Sequence, residues 1–174
     1  MTIVRRAKSK YLRRVNTPKS YTVDQARTKL ERYCAYQERC HKEVVNKLRE
    51  MRMIPIAIDE IVGHLIQHNY LNETRFAQAY ARGKFRVKKW GRQRIVRELK
   101  QRDISAYNIK LALRQISETD YLTTFDAIAE KRWMSLKGEP SMQSKKKKCY
   151  DYLRYRGWEP HLIFDKLNEL AKKN

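Results

Sequence analysis

The apolar positions of this 174-residue chain follow one pattern that occurs three times. In the first copy Leu48, Met53, Ile58, Val62 and Leu65 stand among polar residues, with Arg52 just before Met53. Moving on by 51 residues gives Leu99, Ile104, Ile109, Leu113 and Ile116, with Asp103 in the place of Arg52. A further 54 residues gives Leu153, Trp158, Ile163, Leu167 and Leu170, with Gly157 in that place. The positions upstream agree too: Val44, Ile95 and Cys149, followed by Val45, Val96 and Tyr150. Self-similarity at a fixed period of this size marks a tandem array of supersecondary units.

The spacing inside the block says what the unit is. Ile58, Val62 and Leu65 recur at i, i+4, i+7, the apolar stripe of an amphipathic helix, and the other copies repeat it. Val44 with Leu48, and Ile95 with Leu99, mark an earlier helix at i, i+4. Chain-breaking residues lie between the two. Pro55 and Pro160 suit the first turn of the later helix, and Ser105 suits its N-cap. Gly157 suits the left-handed residue that ends the earlier one. A third helix precedes each pair, near residues 24–38, 73–88 and 121–136. The expected fold is all-α, an elongated tandem array of three three-helix modules that pack end to end. The expected division is a basic flexible tail over 1–22 and modules over 23–71, 72–118 and 119–174.

Charge then changes the picture. The chain carries 40 Lys and Arg against 19 Asp and Glu, a formal net charge of +21. Placement matters more than size: ten Lys or Arg and one acid, Glu98, fall between Arg82 and Arg102. Arg82, Arg86 and Lys89 follow one helix face, and Lys84, Lys88, Arg92, Arg94 and Arg97 extend the patch. Phe85, Trp90 and Tyr107 interleave with it. A second cluster, Lys145, Lys146, Lys147 and Lys148, leads into Tyr150, Tyr152, Arg154, Tyr155 and Arg156. Residues 1–23 add seven Lys or Arg and no acid. Such a field attracts polyanions by releasing their counterions. The plain alternative is a solvated basic surface, and for Phe76, Tyr80 and Trp90 it is packing between helices rather than base stacking.

Other chemistry finds little support. There is no phosphate-cradling GxxxxGK[ST] loop and no GxSxG, and five glycines leave few for such loops. His64 and His68 at i, i+4 with Glu60 one turn earlier have metal-like spacing, but a helix bearing Ile58, Val62 and Leu65 inward explains them as surface histidines. No catalytic residue, cofactor or metal is expected. No apolar run reaches the roughly 20 residues that span a bilayer. The three cysteines, Cys34, Cys40 and Cys149, form an odd set without an export signal, which points to reduced thiols and the cytoplasm. Nothing suggests a coiled coil, so a monomer is expected.

Two stretches carry a family resemblance. The run Asn69-Tyr70-Leu71-Asn72-Glu73-Thr74-Arg75-Phe76-Ala77 resembles the "gyLdDxRFA" segment of the RecX family, regulators of the bacterial RecA recombinase. Trp90-Gly91-Arg92-Gln93-Arg94-Ile95-Val96-Arg97-Glu98-Leu99 resembles that family's following "xGxxrIxxeL" segment. Tyr36 to Val44 is similar to the helix junction of the family's first repeat. The resemblance implies tandem three-helix modules and a non-enzymatic modulator, mainly an inhibitor, of RecA. It implies binding to the RecA–single-stranded DNA filament in its groove, weak non-specific DNA binding, and suppression of strand exchange, ATP hydrolysis and coprotease activity. The RecA- or DNA-binding face would be Arg82, Lys84, Arg86, Lys88, Lys89, Arg92, Arg94 and Arg97, with Lys145 to Lys148. Charge and helices alone equally suit a stand-alone basic DNA-binding or architectural protein. One departure stands out: the family pattern has Gly at the helix-ending position where this chain has Arg52 and Asp103. Arg tolerates the left-handed conformation poorly, so the first junction is expected to end its helix differently, with Pro55 as the stop. Gly91 is expected to let the chain turn sharply between two basic helices.

Overall fold

The computed structural model describes residues 20–172. Residues 1–19, most of the expected basic tail, lie outside the described residues. The described residues form nine α-helices and no strand: α1 Val23–Tyr36, α2 His41–Glu50, α3 Pro55–Gln67, α4 Glu73–Lys88, α5 Arg92–Lys100, α6 Ala106–Leu113, α7 Glu118–Ser135, α8 Met142–Tyr155 and α9 Pro160–Lys172. They group as three consecutive triplets. In the first two, the opening helix packs on the closing one (α1 on α3, α4 on α6), and in the third α7 packs on both α8 and α9.

Side-chain caps fix where helices begin. Thr22, Asn72, Ser105, Ser117 and Ser141 each accept a hydrogen bond from the amide three residues on, at 2.9–3.2 Å. Each of these bonds satisfies an amide that the helix itself leaves unpaired. Ser117 starts α7 three residues earlier than the apolar pattern places it.

The helix ends repeat with equal regularity. Arg52 (φ 61°), Asp103 (φ 60°) and Gly157 (φ 86°) are all left-handed. Each donates to the carbonyl three residues back, Arg49, Lys100 and Arg154, at 2.8–3.0 Å. The next amide, of Met53, Ile104 or Trp158, donates to Leu48, Leu99 or Leu153 at 3.1–3.2 Å. This is the Schellman pair of bonds, with an apolar residue following the left-handed one. The first junction therefore ends as the other two do, and Pro55 only opens α3. The physical reason is packing. Met53 is drawn against the core of its module and Ile104 and Trp158 are buried. Burying those side chains outweighs the ~1 kcal/mol that a non-glycine residue costs in this conformation.

Two apolar cores result. One belongs to the first module and is built on Leu30, Val44, Leu48, Ile61 and Leu65. The other runs without a break through the middle and last modules, where Phe85 of α4 stacks on Tyr121 of α7 with ring centroids 5.9 Å apart. Cys40, at the start of α2, is fully buried in this second core rather than in that of its own module. It acts as a peg between the first and middle modules. Around it Lys42 pairs with Asp103 at 3.0 Å and donates to the Gln101 carbonyl at 2.8 Å. Arg75 donates to Glu38 and to the Asn69 side chain and carbonyl.

Between the middle and last modules the backbones themselves meet. The Gly91 amide donates to the Arg156 carbonyl at 2.9 Å and the Gln93 amide to the Gly157 carbonyl at 3.1 Å. A side chain on Gly91 would lie 2.3 Å from the Gly157 carbonyl oxygen. Gly91 itself has φ −73°, open to any residue. Glycine is required there by close approach, not by the sharp turn the sequence suggested.

Candidate nucleic-acid and protein interface

The twelve cations of the two basic clusters separate into three environments. Arg92 and Arg94 are half-buried and hold the junction between the middle and last modules. Arg92 pairs with Glu118 at 2.7 Å, and its guanidinium lies 4.0 Å from the Tyr121 ring. The hydrogen bond from Arg92 holds the Glu118 carboxyl below its usual range. The Arg92 amide donates to the Tyr121 hydroxyl at 2.9 Å, and that hydroxyl donates to Glu159 at 2.7 Å. Burial, reinforced by Glu159, pushes the Tyr121 phenol upward and keeps it a donor. Arg94 lies 4.0 Å from the Trp90 ring and 4.5 Å from that of Tyr155, and donates to the Tyr155 carbonyl at 3.0 Å.

A second group is engaged but reachable. Lys84 sits near the Tyr80 and Trp90 rings, at 5.0 and 5.2 Å, and Arg82 reaches Gln115 at 3.5 Å. Lys145 lies 4.3 Å from the Trp133 ring, Lys146 donates to Asn168 at 3.2 Å, and Lys148 pairs with Glu139 at 2.8 Å. Hydrogen bonds from Lys148 and then Ser144 hold the Glu139 carboxyl low.

The third group is Arg86, Lys88, Lys89, Arg97 and Lys147. All five are exposed, and none has a carboxylate partner among the described residues. Lys88 and Lys89 sit at the end of α4, where Lys89 is itself left-handed (φ 53°). Arg156 of the last module donates to the Lys88 carbonyl, so the segment after α4 lies directly beside the end of α8. Arg97 follows Arg94 by one turn of α5. Lys88, Lys89 and Arg97 therefore border the junction of the two modules, while the charge inside the junction is neutralised or stacked. Sequence reasoning named Tyr155 among the aromatics but had no means to place it on Arg94, 61 residues away in the chain.

Other chemistry is placed plainly. His64 shares a 2.7 Å hydrogen bond with Glu31, and its ring lies 4.1 Å from that of His68. No group of three or more His, Cys, Asp or Glu among the described residues is arranged to hold a metal ion. Cys34, Cys40 and Cys149 are buried free thiols. Burial pushes Cys34 and Cys149 up to about 11 and Cys40 upward, so all three are protonated and unreactive at neutral pH. No described helix is long and apolar enough to cross a membrane.

Comparison with known proteins shows what the chain resembles. Residues 72–113 match the model of the second three-helix domain of RecX, from the N-cap of α4 to the last residue of α6. The chain is similar to RecX proteins in this segment and beyond it. The regulatory protein RecX of Chlorobium phaeobacteroides (strain BS1) is 29% identical over 136 residues, covering 78% of this chain and 87% of its own length. That of Lactobacillus gasseri is 29% identical over 139 residues, but these make up 51% of its length. That of Yersinia enterocolitica is 32% identical over 104 residues, 60% of each protein. The chain thus spans about half to three fifths of some of the RecX proteins it matches. Two solved RecX structures share the fold. RecX from Lactobacillus salivarius superposes with a TM-score of 0.73 at 24% identity, over 86% of this chain and 96% of its own. A second crystal structure of regulatory protein RecX gives 0.75 at 20%, over 84% and 73%. The segment that matches the RecX domain model carries the exposed Arg86, Lys88, Lys89 and Arg97, and the α8–α9 junction meets it at Gly91, Gln93 and the Lys88 carbonyl.

Proposed function

We propose that the protein is a non-enzymatic modulator of RecA, acting mainly as an inhibitor. It binds the RecA–single-stranded DNA filament in its helical groove and suppresses strand exchange, ATP hydrolysis and coprotease activity in recombination and the SOS response. It acts in the cytoplasm, as a monomer, without a cofactor, and its own DNA binding is weak and non-specific. The contact surface is the basic face on α4 and α5, extended by the lysines of α8. The observation that carries this reading is the set of exposed, unpaired cations on the module that matches the RecX domain. A protein folding for solubility alone has no reason to leave one border of one junction so charged while Arg92 and Arg94 beside it are neutralised or stacked.

The test is ATP hydrolysis by RecA on single-stranded DNA, titrated with this protein at constant ionic strength beside an unrelated protein of similar positive charge. Inhibition well below the RecA concentration, absent with the control, is the expected result. Equal effects from both proteins would mean charge-driven DNA binding only and would end the modulator reading.

A further inference from the structure

We propose that the exposed ring of Tyr155 is a stacking platform for one base of a single nucleic-acid strand, with Lys88, Lys89 and Arg97 holding the neighbouring phosphates. This role rests on reading the basic face as one that meets DNA. Tyr155 ends α8 and is 71% exposed, a large aromatic left in solvent at the border of the densest charge. It is not a loose side chain. The Arg94 guanidinium lies over its ring at 4.5 Å while donating to its own carbonyl at 3.0 Å, and the same guanidinium rests 4.0 Å from Trp90. The Nε of Arg94 is buried with no hydrogen-bond acceptor, so stacking is what fixes that end of the guanidinium.

One face of the Tyr155 ring is thus covered by a cation and the rest is open to solvent. A ring already immobilised in this way loses little freedom when a base stacks on it. Its surroundings fit the rest of a nucleotide chain. The bond from Arg156 to the Lys88 carbonyl and that from Gly91 to the Arg156 carbonyl lay residues 88–91 along the end of α8. That brings the backbone of the unpaired Lys88 and Lys89 beside the end of α8, where Tyr155 lies, and Arg97 follows Arg94 on α5. Aromatic faces flanked by cations bind single strands with little sequence preference, because every base offers a π-face. A duplex keeps its base faces covered, so the platform selects unpaired strands.

The test measures binding of the full chain to a fluorescent oligothymidylate, without RecA, across a range of salt. Tyr155→Ala should weaken binding about 10-fold, with no change in the slope of log affinity against log salt. Tyr155→Phe should bind as the parent does. Lys89→Ala should instead lower that slope by about 0.7, the value of one single-strand phosphate contact. An oligonucleotide of abasic residues should not distinguish Tyr155→Ala from the parent. Parent-like affinity of Tyr155→Ala for the thymidylate strand, or an equal loss on the abasic strand, would overturn the proposal. So would a Tyr155→Ala variant that keeps its DNA affinity but no longer holds the RecA filament, which would make the ring a protein contact. A parent chain that bound no strand at low salt would sink the DNA reading of the face as well. The RecA ATP hydrolysis assay judges the modulator reading separately.

Discussion

Replacing Gly91 by alanine asks how firmly the middle and last modules are joined. The new Cβ would sit 2.3 Å from the Gly157 oxygen, 2.5 Å from its carbonyl carbon and 2.7 Å from the Trp158 nitrogen. Ordinary contact for such atoms is about 3.5 Å, so the two backbones must part by about 1 Å. Neither side gives easily. Gly157 is held left-handed by its bond to Arg154, and fully buried Trp158 anchors the start of the next turn of chain. Parting them breaks the bonds Gly91–Arg156 and Gln93–Gly157, each contributing about 1 kcal/mol. Overpacking at a close contact adds about 1–3 kcal/mol, giving an expected loss of roughly 3–5 kcal/mol. Gly83→Ala is the control, since nothing lies within 4 Å of its added Cβ in the middle of α4. It should stabilise by about 0.5–1 kcal/mol. Urea unfolding, followed by helical circular dichroism and tryptophan fluorescence, reads both. A Gly91→Ala protein that unfolds at the parental midpoint would refute the close-approach argument.

Three further perturbations rest on the same physics. Arg52→Gly relieves a left-handed arginine and should stabilise the first module by about 0.5–1 kcal/mol after allowing for glycine's freer unfolded chain, read as a rise in urea midpoint; a fall would mean that the Arg52 side chain has a structural partner. Cys34 and Cys149 are held protonated up to about 11 against an ordinary 9.0, so stability is fully present below pH 9 and lost as pH rises through 9–11, where the unfolded chain releases protons first; Cys149→Ala should flatten that alkaline fall, and an unchanged slope would contradict it. For Lys166, burial opposes the charge, but Glu130, Asp126 and Glu169 at 2.9–3.3 Å outweigh it and raise the ammonium above its ordinary 10.5. Lys166→Met should therefore cost about 1–2 kcal/mol at neutral pH, a difference that shrinks once pH exceeds 10.5; a cost independent of pH would place the role of Lys166 in packing instead.

Much of the fold was legible because it is local. Asn72 and Ser105 as caps, Pro55 and Pro160 as helix openers, and Gly157 as a left-handed end are each decided within one turn of chain. The repeat made Met53, Ile104 and Trp158 equivalent. What sequence reasoning underrated was the force of that equivalence: burying the apolar residue dictates the conformation of its predecessor, even when that is Arg52. The candidate site was less legible, because charge in a sequence does not say what it faces. Arg86 and Arg94 look alike in the run from Arg82 to Arg102, yet one is exposed and the other lies against Trp90 and Tyr155. Gly91 likewise looked like a turn residue, because its neighbour Gly157 stands 66 positions away in the chain.

If free charge at one junction of a RecX fold is what engages the RecA filament, removing that charge must release the filament. The decisive experiment is RecA ATP hydrolysis on single-stranded DNA in the presence of the variant combining Arg86→Glu, Lys88→Glu, Lys89→Glu and Arg97→Glu. These four side chains are exposed and unpaired among the described residues, so the thermal midpoint should stay near that of the parent. The parent protein should inhibit hydrolysis and the folded variant should not. A folded variant that inhibits as well as the parent would contradict the role given to these cations.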